Sequence, residues 1–321
     1  MSAGVQEQRS GSRLVAVGTA LPDKVLTNAD FEVMMDTSDE WIRSRTGIGE
    51  RRVGGTTTGL ASEAAEQALE RSGVPADSVG LVIAATQTPD DLCPSTAAGV
   101  QDALGLTCAA FDVNAACAGF SYGLVVAHSM LLSGATDAAL VVGVDRMTAA
   151  TNYDDRSTAI LFGDGAGAVV LTNEPDGDRG IRAWDTGTDG SHADILASPI
   201  RDGRITGVEM NGKVLFKHMV RYAVDSARAA VERAGLELDD VVAVLAHQAN
   251  QRILDAVADR LGVDHDRVIS IIEHTGNTSA ASVPLALDAA VGDGRVSPGD
   301  PILLLGFGGG LSWASTVAVW G

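Results

Sequence analysis

The chain has 321 residues, of which 45% are hydrophobic and 20% charged, and its formal net charge at pH 7 is −19. This length and apolar content can bury the core of one large domain or two ordinary ones. The acidic balance argues against a nucleic-acid-binding protein, because such proteins neutralise phosphates with a basic face. The longest apolar runs, such as residues 138–144, are too short to cross a bilayer. We therefore expect a cytoplasmic protein with no membrane and no nucleic-acid partner.

Cysteine and histidine usage predicts neither disulfides nor a metal site. The three cysteines, Cys93, Cys108 and Cys117, have no paired or zinc-like spacing, and the six histidines include no His-x-x-x-His pair. We therefore expect the protein to hold no metal ion and no bound cofactor. The first residues, Met1–Ser12, are polar and lack the apolar segment of a signal peptide, so a loose tail is expected there.

The first elements along the chain follow from local signals. The apolar run at residues 14–21 predicts a strand, and a short helix is expected at residues 28–35. The segment Ser38–Gly47 opens with helix-capping residues and ends on a helix-stopping glycine. It carries Trp41 and Arg45. An aromatic ring beside arginines can stack on an adenine and hold phosphate, although an ordinary solvated helix explains the same residues.

Cys117 lies at a predicted strand-to-helix corner. Residues 109–113 form a short apolar run typical of a buried strand, and apolar residues recur with helical spacing from Cys117 onward. The free N–H groups and the positive dipole end of a helix start favour a thiolate there. This placement suits a nucleophile. The alternative is a buried structural thiol, which packs as a small hydrophobe.

The two halves of the sequence repeat one α/β unit. The helix, glycine and strand of residues 61–85 return at residues 223–247 with an offset of 162, and a second strand pair agrees with an offset of 163. Apolar strands that alternate with helices indicate sheets covered on both faces. We expect one half at 1–175 and the other at 176–321. The buried strands of both halves are expected at residues 80–85, 140–144, 166–171, 241–246, 268–272 and 302–305.

Polar residues follow two apolar runs of the second half. His247 ends the strand at 241–246, and Asn277 follows the apolar run at 268–272. A strand-end histidine and a helix-capping asparagine are ordinary features taken singly. Together with Cys117 at equivalent strand ends, they favour a shared catalytic site. Gly309 lies in a glycine-rich loop whose backbone can approach a ligand, so its N–H and that of Cys117 suit an oxyanion hole. A phosphate loop is disfavoured because no lysine follows.

With these residues in place, the sequence resembles the thiolase-like condensing enzymes and, among them, the β-ketoacyl-acyl-carrier-protein synthase III family. The resemblance extends over almost the whole chain. It is carried by residues 37–48, 115–120, 160–167, 247–250, 276–282 and 307–310. It implies a thiolase-like α/β fold that is internally duplicated and layered α-β-α-β-α, with two mixed sheets.

The resemblance also implies roles for single residues. Cys117 would be the acyl-accepting nucleophile, and His247 and Asn277 would bind the malonyl thioester carbonyl. The backbone N–H groups of Cys117 and Gly309 would form the oxyanion hole. The coenzyme A entrance would be lined by Trp41, Arg45, Arg156, Asn250 and Arg252. The acyl pocket would be bordered by Cys93, Met210, Phe216 and Phe307, with Cys93 reaching the pocket of the partner subunit.

The implied activity is a decarboxylative Claisen condensation. An acyl-CoA primer and malonyl-acyl carrier protein would give a 3-ketoacyl-acyl carrier protein, the step that initiates type II fatty acid synthesis. The implied partners are acyl-CoA, malonyl-acyl carrier protein and a second copy of the chain in a homodimer. Acyl-CoA is a substrate, and no cofactor is implied.

Two positions depart from the family pattern. Cys93 stands where members often carry phenylalanine or threonine, and a small residue there would admit branched or longer primers, although a buried thiol without consequence is the alternative. Asp259 stands beside Arg260 where relatives have consecutive basic residues that dock the carrier protein. The residues expected to dock the carrier here are Lys213, Lys217, Arg221 and Arg252, the first three on one helix face. A solvated helix face is the alternative, and we expect weak or salt-sensitive docking.

Three other functions remain compatible with parts of this pattern. A cysteine hydrolase would use the same three side chains, but it gives no reason for the repeat or the glycine-rich loop. A synthase III-like acyltransferase, or an enzyme that primes polyketides in secondary metabolism, would share the whole site. An inactive paralogue that acts as an interaction partner would be expected to lose a member of the triad, and none is lost.

Overall fold

The fold is built on strands and helices that alternate along the chain. The structure is a computed structural model that describes residues 11–174 and 179–321. The strands of these residues are β1 (Gly11–Ala20), β2 (Val25–Thr27), β3 (Glu50–Arg52), β4 (Val79–Ala85), β5 (Ala109–Val113), β6 (Ala138–Arg146), β7 (Asp164–Glu174), β8 (Gly180–Thr188), β9 (Leu196–Ala197), β10 (Ile200–Arg201), β11 (Arg204–Ile205), β12 (Glu209–Met210), β13 (Ala243–Ala246), β14 (Pro301–Gly308) and β15 (Ser312–Val319). The α-helices are α1 (Asn28–Met34), α2 (Asp39–Thr46), α3 (Thr57–Ser72), α4 (Thr96–Ala103), α5 (Gly119–Leu132), α6 (Arg156–Ala159), α7 (Gly212–Arg233), α8 (Gln251–Leu261), α9 (Ile272–Thr275) and α10 (Ser282–Gly292).

Four strands of each large sheet share one order and one set of directions. Read from its β5 edge, the first sheet is ordered β5-β4-β6-β7-β1, and the second is ordered β13-β14-β15-β8. The strands β4, β6, β7 and β1 therefore correspond to β13, β14, β15 and β8, and β5 is additional. β4 with β6 and β13 with β14 run parallel, whereas β6 with β7 and β14 with β15 run antiparallel. β1 and β8 add an antiparallel strand to β7 and β15 respectively. The predicted duplication and the two mixed sheets are therefore confirmed.

The helices form three layers around these sheets. α5 and α10 pack between the sheets, where Leu124 and Leu287 join one buried cluster with side chains from both sheets. α3 and α4 cover the other face of the first sheet through residues such as Ala64. α7 and α8 cover the second sheet through residues such as Val220 and Leu254. Burial of each leucine contributes roughly 2 kcal/mol before the loss of chain entropy, so the packing of these layers holds the halves together.

Local sequence signals explain where α2 begins and ends. The Ser38 hydroxyl accepts a hydrogen bond from the N–H of Trp41 at 3.2 Å, which satisfies a free donor of the first turn. Gly47 ends the helix with φ of 77°, in the left-handed region that glycine adopts without strain. A side chain at this position would also meet Gln251 at 2.6 Å. Gly47 thus allows α2 to pack against the start of α8.

Three sequence expectations need correction. The run at 268–272 is not a strand. Val268 makes a single bridge to Val244, and the side chain of Gln248 hydrogen-bonds the backbone of Ile269 and Ile271, groups that a neighbouring strand would otherwise pair. The expectation of a loose tail is wrong for Gly11 and Ser12, which belong to β1, and residues 1–10 lie outside the described residues. α3 starts before the predicted residue 61 because Thr56 caps it.

The expected boundary between the halves lies between β7 and β8. β7 ends at Glu174 and β8 begins at Gly180. A boundary at 175/176 falls on residues 175–178, which lie outside the described residues. The division of the chain into 1–175 and 176–321 therefore stays a prediction.

Candidate active site

The three candidate catalytic side chains line one cavity. This cavity has a volume of about 350 Å³ and is bordered by Cys117, His247, Asn277 and the glycine-rich loop that includes Gly309. Cys117 comes from the first half of the chain, and the other residues come from the second. The cavity therefore lies where the two halves meet, as expected for equivalent loops of a duplicated fold.

Backbone geometry fixes the position of Cys117. The residue lies between the end of β5 and the start of α5, and the preceding Ala116 has φ of 47°, which is uncommon for a residue with a Cβ. Gly308 packs against Cys117 so closely that a Cβ at position 308 would lie 2.7 Å from the Cys117 Cβ and 3.0 Å from its sulfur. The sulfur is thus held between the start of a helix and an extended glycine backbone.

Burial favours the neutral thiol of Cys117 over the thiolate. The side chain is almost wholly buried, and this burial raises its pKa to about 12. The charge of Asp145 also raises the pKa, whereas hydrogen bonds from the Ser279 hydroxyl and from the backbone N–H groups of Cys117 and Gly309 lower it. The two N–H groups proposed for the oxyanion hole therefore converge on the sulfur.

His247 is a neutral imidazole that contacts Ser282 and the backbone of Ser279. It follows β13 and is 2% exposed. Burial lowers its pKa to about 3, although a hydrogen bond with the backbone of Ser279 acts in the opposite direction. Its Nδ1 lies 3.1 Å from the Ser282 hydroxyl, and its ring packs edge-on against Phe307 at 5.3 Å. When Ser282 donates to Nδ1, the proton of the neutral ring resides on Nε2. This tautomer gives His247 a donor for a ligand oxygen.

Asn277 is fixed by the backbone on both sides. Its N–H donates to the Leu161 carbonyl at 2.8 Å, and its own carbonyl accepts from Gly163 at 3.0 Å. The side-chain Oδ1 accepts a hydrogen bond from the N–H of Ser279 at 2.9 Å. This bond identifies the oxygen of the amide, because a backbone N–H can only donate. The amide NH₂ group is left to donate to a ligand in the cavity.

Sequence reasoning missed a group of residues behind the triad. The Ser279 hydroxyl donates to the Cys117 sulfur at 3.3 Å and accepts from the Gln87 side-chain amide at 2.8 Å. The buried carboxylate of Asp145 lies beyond them and accepts a bond from the backbone N–H of Ala280 at 3.2 Å. The sequence held one signal of this group, because Asp145 is a charged residue near the end of the otherwise apolar strand β6.

The residues expected at the coenzyme A entrance lie outside the deep cavity, with one exception. Asn250 lines the cavity and caps α8 by accepting from the N–H of Ile253 at 3.1 Å. The guanidinium groups of Arg45 and Arg156 lie 5.3 and 4.8 Å from the centre of the Trp41 ring. Arg252 is exposed on the first turn of α8. These residues stand on α2, α6 and α8, and α2 packs against the start of α8.

The residues expected at the acyl pocket divide into two groups. Met210 and Phe307 line the cavity. Phe216 is half-buried on α7 and packs against the core of the second half rather than lining the cavity. Cys93 is exposed in the single chain and does not contribute to the cavity of that chain.

The residues expected to dock the carrier protein are exposed. Lys213, Lys217 and Arg221 follow one another at intervals of four residues along α7, and the Arg221 guanidinium lies 4.7 Å from the ring centre of Tyr222. Arg252 is exposed on α8, which packs with α7 on the same sheet. Asp259 also lies on α8, where its Oδ1 is 3.0 Å from Nε2 of His265.

Within residues 11–174 and 179–321, no three His, Cys, Asp or Glu side chains are grouped as ligands for a metal ion. Within the same ranges, every helix is too short or too polar to cross a membrane.

Comparison with known proteins places the chain in a family. The profile described as 3-oxoacyl-[acyl-carrier-protein (ACP)] synthase III matches residues 111–190, and the profile of the C-terminal part of this synthase matches residues 231–320. The β-ketoacyl-[acyl-carrier-protein] synthase III of Rhizorhabdus wittichii is 46% identical over 309 residues, covering 94% of this chain and 97% of the relative. The synthase III of Roseiflexus castenholzii is 48% identical over 320 residues, covering 94% and 96%.

Solved structures give the same result. The crystal structure of 3-oxoacyl-[acyl-carrier-protein] synthase III from Aquifex aeolicus superposes with a TM-score of 0.93 at 42% identity, covering 97% of this chain and all of the other. This similarity confirms the predicted thiolase-like fold. The sequence profiles, the full-length relatives and the shared fold agree, and the chain belongs to the β-ketoacyl-acyl-carrier-protein synthase III family.

Proposed function

We propose that this enzyme condenses an acyl-CoA primer with malonyl-acyl carrier protein and releases a 3-ketoacyl-acyl carrier protein, the first condensation of type II fatty acid synthesis. The observation that carries the proposal is the convergence of Cys117, His247 and Asn277 on one cavity, with the N–H of Gly309 directed at the sulfur. An inactive paralogue needs no such pairing of a nucleophile with two separate donors.

In the first half-reaction, the Cys117 sulfur attacks the thioester carbon of the primer. Negative charge develops on the thioester oxygen, and the N–H groups of Cys117 and Gly309 stabilise it. These groups are backbone donors, so they need no reorganisation as the charge forms. Coenzyme A leaves as a thiol, and the acyl group remains on Cys117.

In the second half-reaction, malonyl-acyl carrier protein loses carbon dioxide. The electrons of the broken bond form an enolate, whose oxygen needs hydrogen-bond donors. Neutral His247 supplies its Nε2–H and Asn277 supplies its amide NH₂. The enolate carbon then attacks the acyl-Cys117 thioester to form the new carbon–carbon bond. Because His247 stays neutral over the physiological range, it serves as a donor and not as a cation.

The proposal extends to the parts of the molecule that bind the substrates. Trp41, Arg45, Arg156, Asn250 and Arg252 would receive coenzyme A, since a ring with two guanidinium groups suits an adenine and phosphates. Met210 and Phe307, which line the cavity, would border the acyl chain. Cys93 would complete the pocket of a partner subunit, and its exposure is compatible with this role. Lys213, Lys217, Arg221 and Arg252 would dock the acidic carrier protein.

The proposal also includes a homodimer, a cytoplasmic location, two halves that divide at 175/176, and no tightly bound cofactor. Acyl-CoA acts as a substrate in this scheme. The resemblance to the full-length relatives supports these points.

The decisive experiment is intact-protein mass spectrometry after incubation with a panel of acyl-CoA primers. The wild-type chain should gain the mass of the acyl group and lose it as a 3-ketoacyl product when malonyl carrier protein is added. Cys117→Ala should gain no mass, because it lacks the acceptor sulfur. Cys108→Ala is the matched control, since Cys108 is a half-buried thiol outside the cavity, and it should behave as wild type.

Different outcomes separate the alternatives. An adduct that resists malonyl carrier protein but is released by an alcohol or amine would support an acyltransferase of secondary metabolism. Hydrolysis without an acceptor would support a thioesterase. A full adduct on Cys117→Ala would refute the assignment of the nucleophile. The primer that reacts best would report on the size of the pocket that Cys93 completes.

A further inference from the structure

Arg51 is a buried cation whose hydrogen-bond partners are all neutral. It stands on β3 and is 0% exposed, and burial lowers its pKa to about 9, so the guanidinium is still charged at pH 7. Its Nε donates to the carbonyl of Ile160 at 2.8 Å, and its Nη2 donates to the same oxygen. Its Nη1 donates to Oδ1 of Asn28 at 2.5 Å, and the Phe31 ring centre lies 4.7 Å from its Cζ. These partners do not neutralise the charge, so the contribution of Arg51 is its planar, forked geometry.

The carbonyl that Arg51 holds begins the segment that fixes Asn277. Ile160 ends α6, and its C=O is one of the carbonyls that a helix end leaves without a partner in the helix. The next residue, Leu161, accepts the N–H of Asn277 at 2.8 Å, and the N–H of Gly163 donates to the carbonyl of Asn277 at 3.0 Å. Arg51 therefore anchors the start of the backbone to which Asn277 bonds on both sides.

The stem of Arg51 packs against the other strand of this pairing. A Cβ on Gly276 would lie 2.9 Å from Cγ of Arg51, and Gly276 has φ of 62°, so both space and conformation require glycine there. A Cβ on Gly163 would lie 3.4 Å from Cβ of Arg51 and 2.3 Å from the carbonyl oxygen of Thr275. Arg51 thus contacts both chain segments that meet at Asn277, one through its guanidinium group and the other through its stem.

The guanidinium group is itself held in place by Asn28. The side-chain Nδ2 of Asn28 donates to Oδ1 of Asp39 at 2.7 Å and to the carbonyl of Ile48 at 2.8 Å. These two bonds identify the nitrogen of the amide, because both acceptors are oxygens, and they leave its oxygen facing Arg51. A guanidinium group can bond Asn28 and Ile160 at once, whereas the single ammonium of a lysine cannot present the same planar fork.

We propose that Arg51 is a positioning residue for Asn277 in the condensation half-reaction. Arg51 does not line the cavity. By holding the two segments that carry and pair with Asn277, it sets where the Asn277 amide stands relative to His247, so that both donors reach the same enolate oxygen. The inference rests on the proposed function, because that function gives Asn277 its task.

The nucleophile is placed by other contacts. Cys117 lies at the start of α5 and packs against Gly308. The acylation half-reaction uses this sulfur and the backbone N–H groups around it, and it does not use the Asn277 amide. Loss of the Arg51 guanidinium should therefore affect the two half-reactions unequally, whereas a general loosening of the fold would slow both.

The test compares the two half-reactions in Arg51→Met, which keeps an apolar stem and removes the guanidinium group. At saturating acyl-CoA, acylation of Cys117, read as single-turnover mass gain, should stay within about twofold of wild type. Condensation of the preformed acyl-enzyme with saturating malonyl carrier protein should slow by at least about tenfold. Arg51→Lys keeps the stem and a donor for Ile160, so it should recover at least about threefold of that loss.

A double-mutant cycle determines whether Arg51 acts through Asn277. Arg51→Met should slow condensation by at least about tenfold in the wild-type background and by less than about twofold when it is added to Asn277→Ala, because the group that Arg51 positions is then already absent. An arginine that served only the stability of the fold would slow both backgrounds equally.

Arg267→Met is the matched control. Arg267 also donates to two backbone carbonyls, those of Leu238 and Val241, and it does not line the cavity. This variant loses a comparable set of bonds, and urea unfolding should show the loss of stability. Both of its half-reactions should keep the wild-type rates.

Four results would overturn the inference. They are equal slowing of both half-reactions in Arg51→Met, an unchanged rate of condensation, an undiminished effect in the Asn277→Ala background, and the same selective slowing in Arg267→Met. If Arg51→Met does not fold, the comparison and the cycle are made with Arg51→Lys, in which condensation alone should slow by at least about twofold.

A wild-type chain that gains the acyl mass but releases no 3-ketoacyl product would reject the proposed function instead. Crystal structures of wild type and Arg51→Met then decide the positioning. The distance from N of Asn277 to the carbonyl oxygen of Leu161 is 2.8 Å, and in the variant it should exceed about 3.5 Å, the limit of a hydrogen bond. An unchanged distance would show that Arg51 does not position Asn277.

Discussion

At the scale of single residues, the site depends on close contacts that fix the positions of the catalytic groups. Gly308 lies against Cys117, Ser279 bonds the sulfur with its hydroxyl, and the N–H of Ser279 fixes the amide of Asn277. The sequence allowed the three triad residues and Gly309 to be predicted, because they are polar or flexible residues at strand ends. Ser279 and Gln87 could not be predicted, since their importance comes from contacts between distant segments.

Gly308→Ala tests the closest of these contacts. A Cβ at this position would lie 2.7 Å from the Cys117 Cβ, 3.0 Å from its sulfur and 3.1 Å from its backbone nitrogen, so β14 or the nucleophile must shift. We expect acylation by acyl-CoA to slow by at least about tenfold, because misplacement of a nucleophile by a fraction of an ångström is costly. The measurement is single-turnover mass gain on Cys117.

The control for this variant is Gly212→Ala. Gly212 is the first residue of α7, and a Cβ there would meet nothing within 4 Å. It should acylate at the wild-type rate. Equal rates for both variants would show that the contact between Gly308 and the nucleophile is not limiting.

At the scale of elements, hydrophobic pattern and glycine stops predicted the strands and helices that carry the site. β5 was placed at its observed residues, but it is a half-exposed edge strand and not the buried strand expected. The prediction of α2 was correct at both ends because Ser38 and Gly47 are strong local signals. The run at 268–272 was wrongly expected to be a strand. Its apolar pattern is real, but the side chain of Gln248 pairs its backbone groups, and a single-sequence pattern cannot reveal such a distant partner.

Lys217→Glu tests the exposed basic face of α7 as the docking surface. The substitution replaces an attractive charge with a repulsive one beside Lys213 and Arg221, so the KM for malonyl carrier protein should rise by at least about threefold at low salt and less at high salt. The KM for the acyl-CoA primer should not change. Lys24→Glu is the control, because Lys24 is exposed and precedes β2 on the other half. An unchanged KM for the carrier in Lys217→Glu would remove α7 from the docking surface.

At the scale of the whole molecule, stability against acid should depend on the buried active site. His247 is neutral in the folded chain and has its pKa lowered to about 3, whereas in the unfolded chain it titrates near its ordinary value of 6.5. Between these values the unfolded state binds more protons. His247 therefore contributes stability that is present above about pH 6.5 and is lost as the pH falls toward 3, at about 1.4 kcal/mol per pH unit.

His247→Gln should flatten this part of the pH dependence. Urea unfolding at pH 7 and at pH 4.5 should show that wild type loses about 2 kcal/mol more than the variant. His274→Gln is the control, because the side chain of His274 is 71% exposed, and it should follow wild type. A variant with the wild-type slope would mean that other groups carry the acid sensitivity.

The distribution of the site over both halves also sets a time at which the enzyme can begin to work. The nucleophile Cys117 and its hydrogen-bond partner Ser279 are 162 positions apart in the sequence. During synthesis on the ribosome, the thiol emerges long before His247, Asn277 and Ser279 exist. A nascent chain therefore carries the nucleophile without the means to use it. Turnover begins only when the second half has been made and has packed against the first. The time at which activity returns during refolding would therefore report when the two halves pack together.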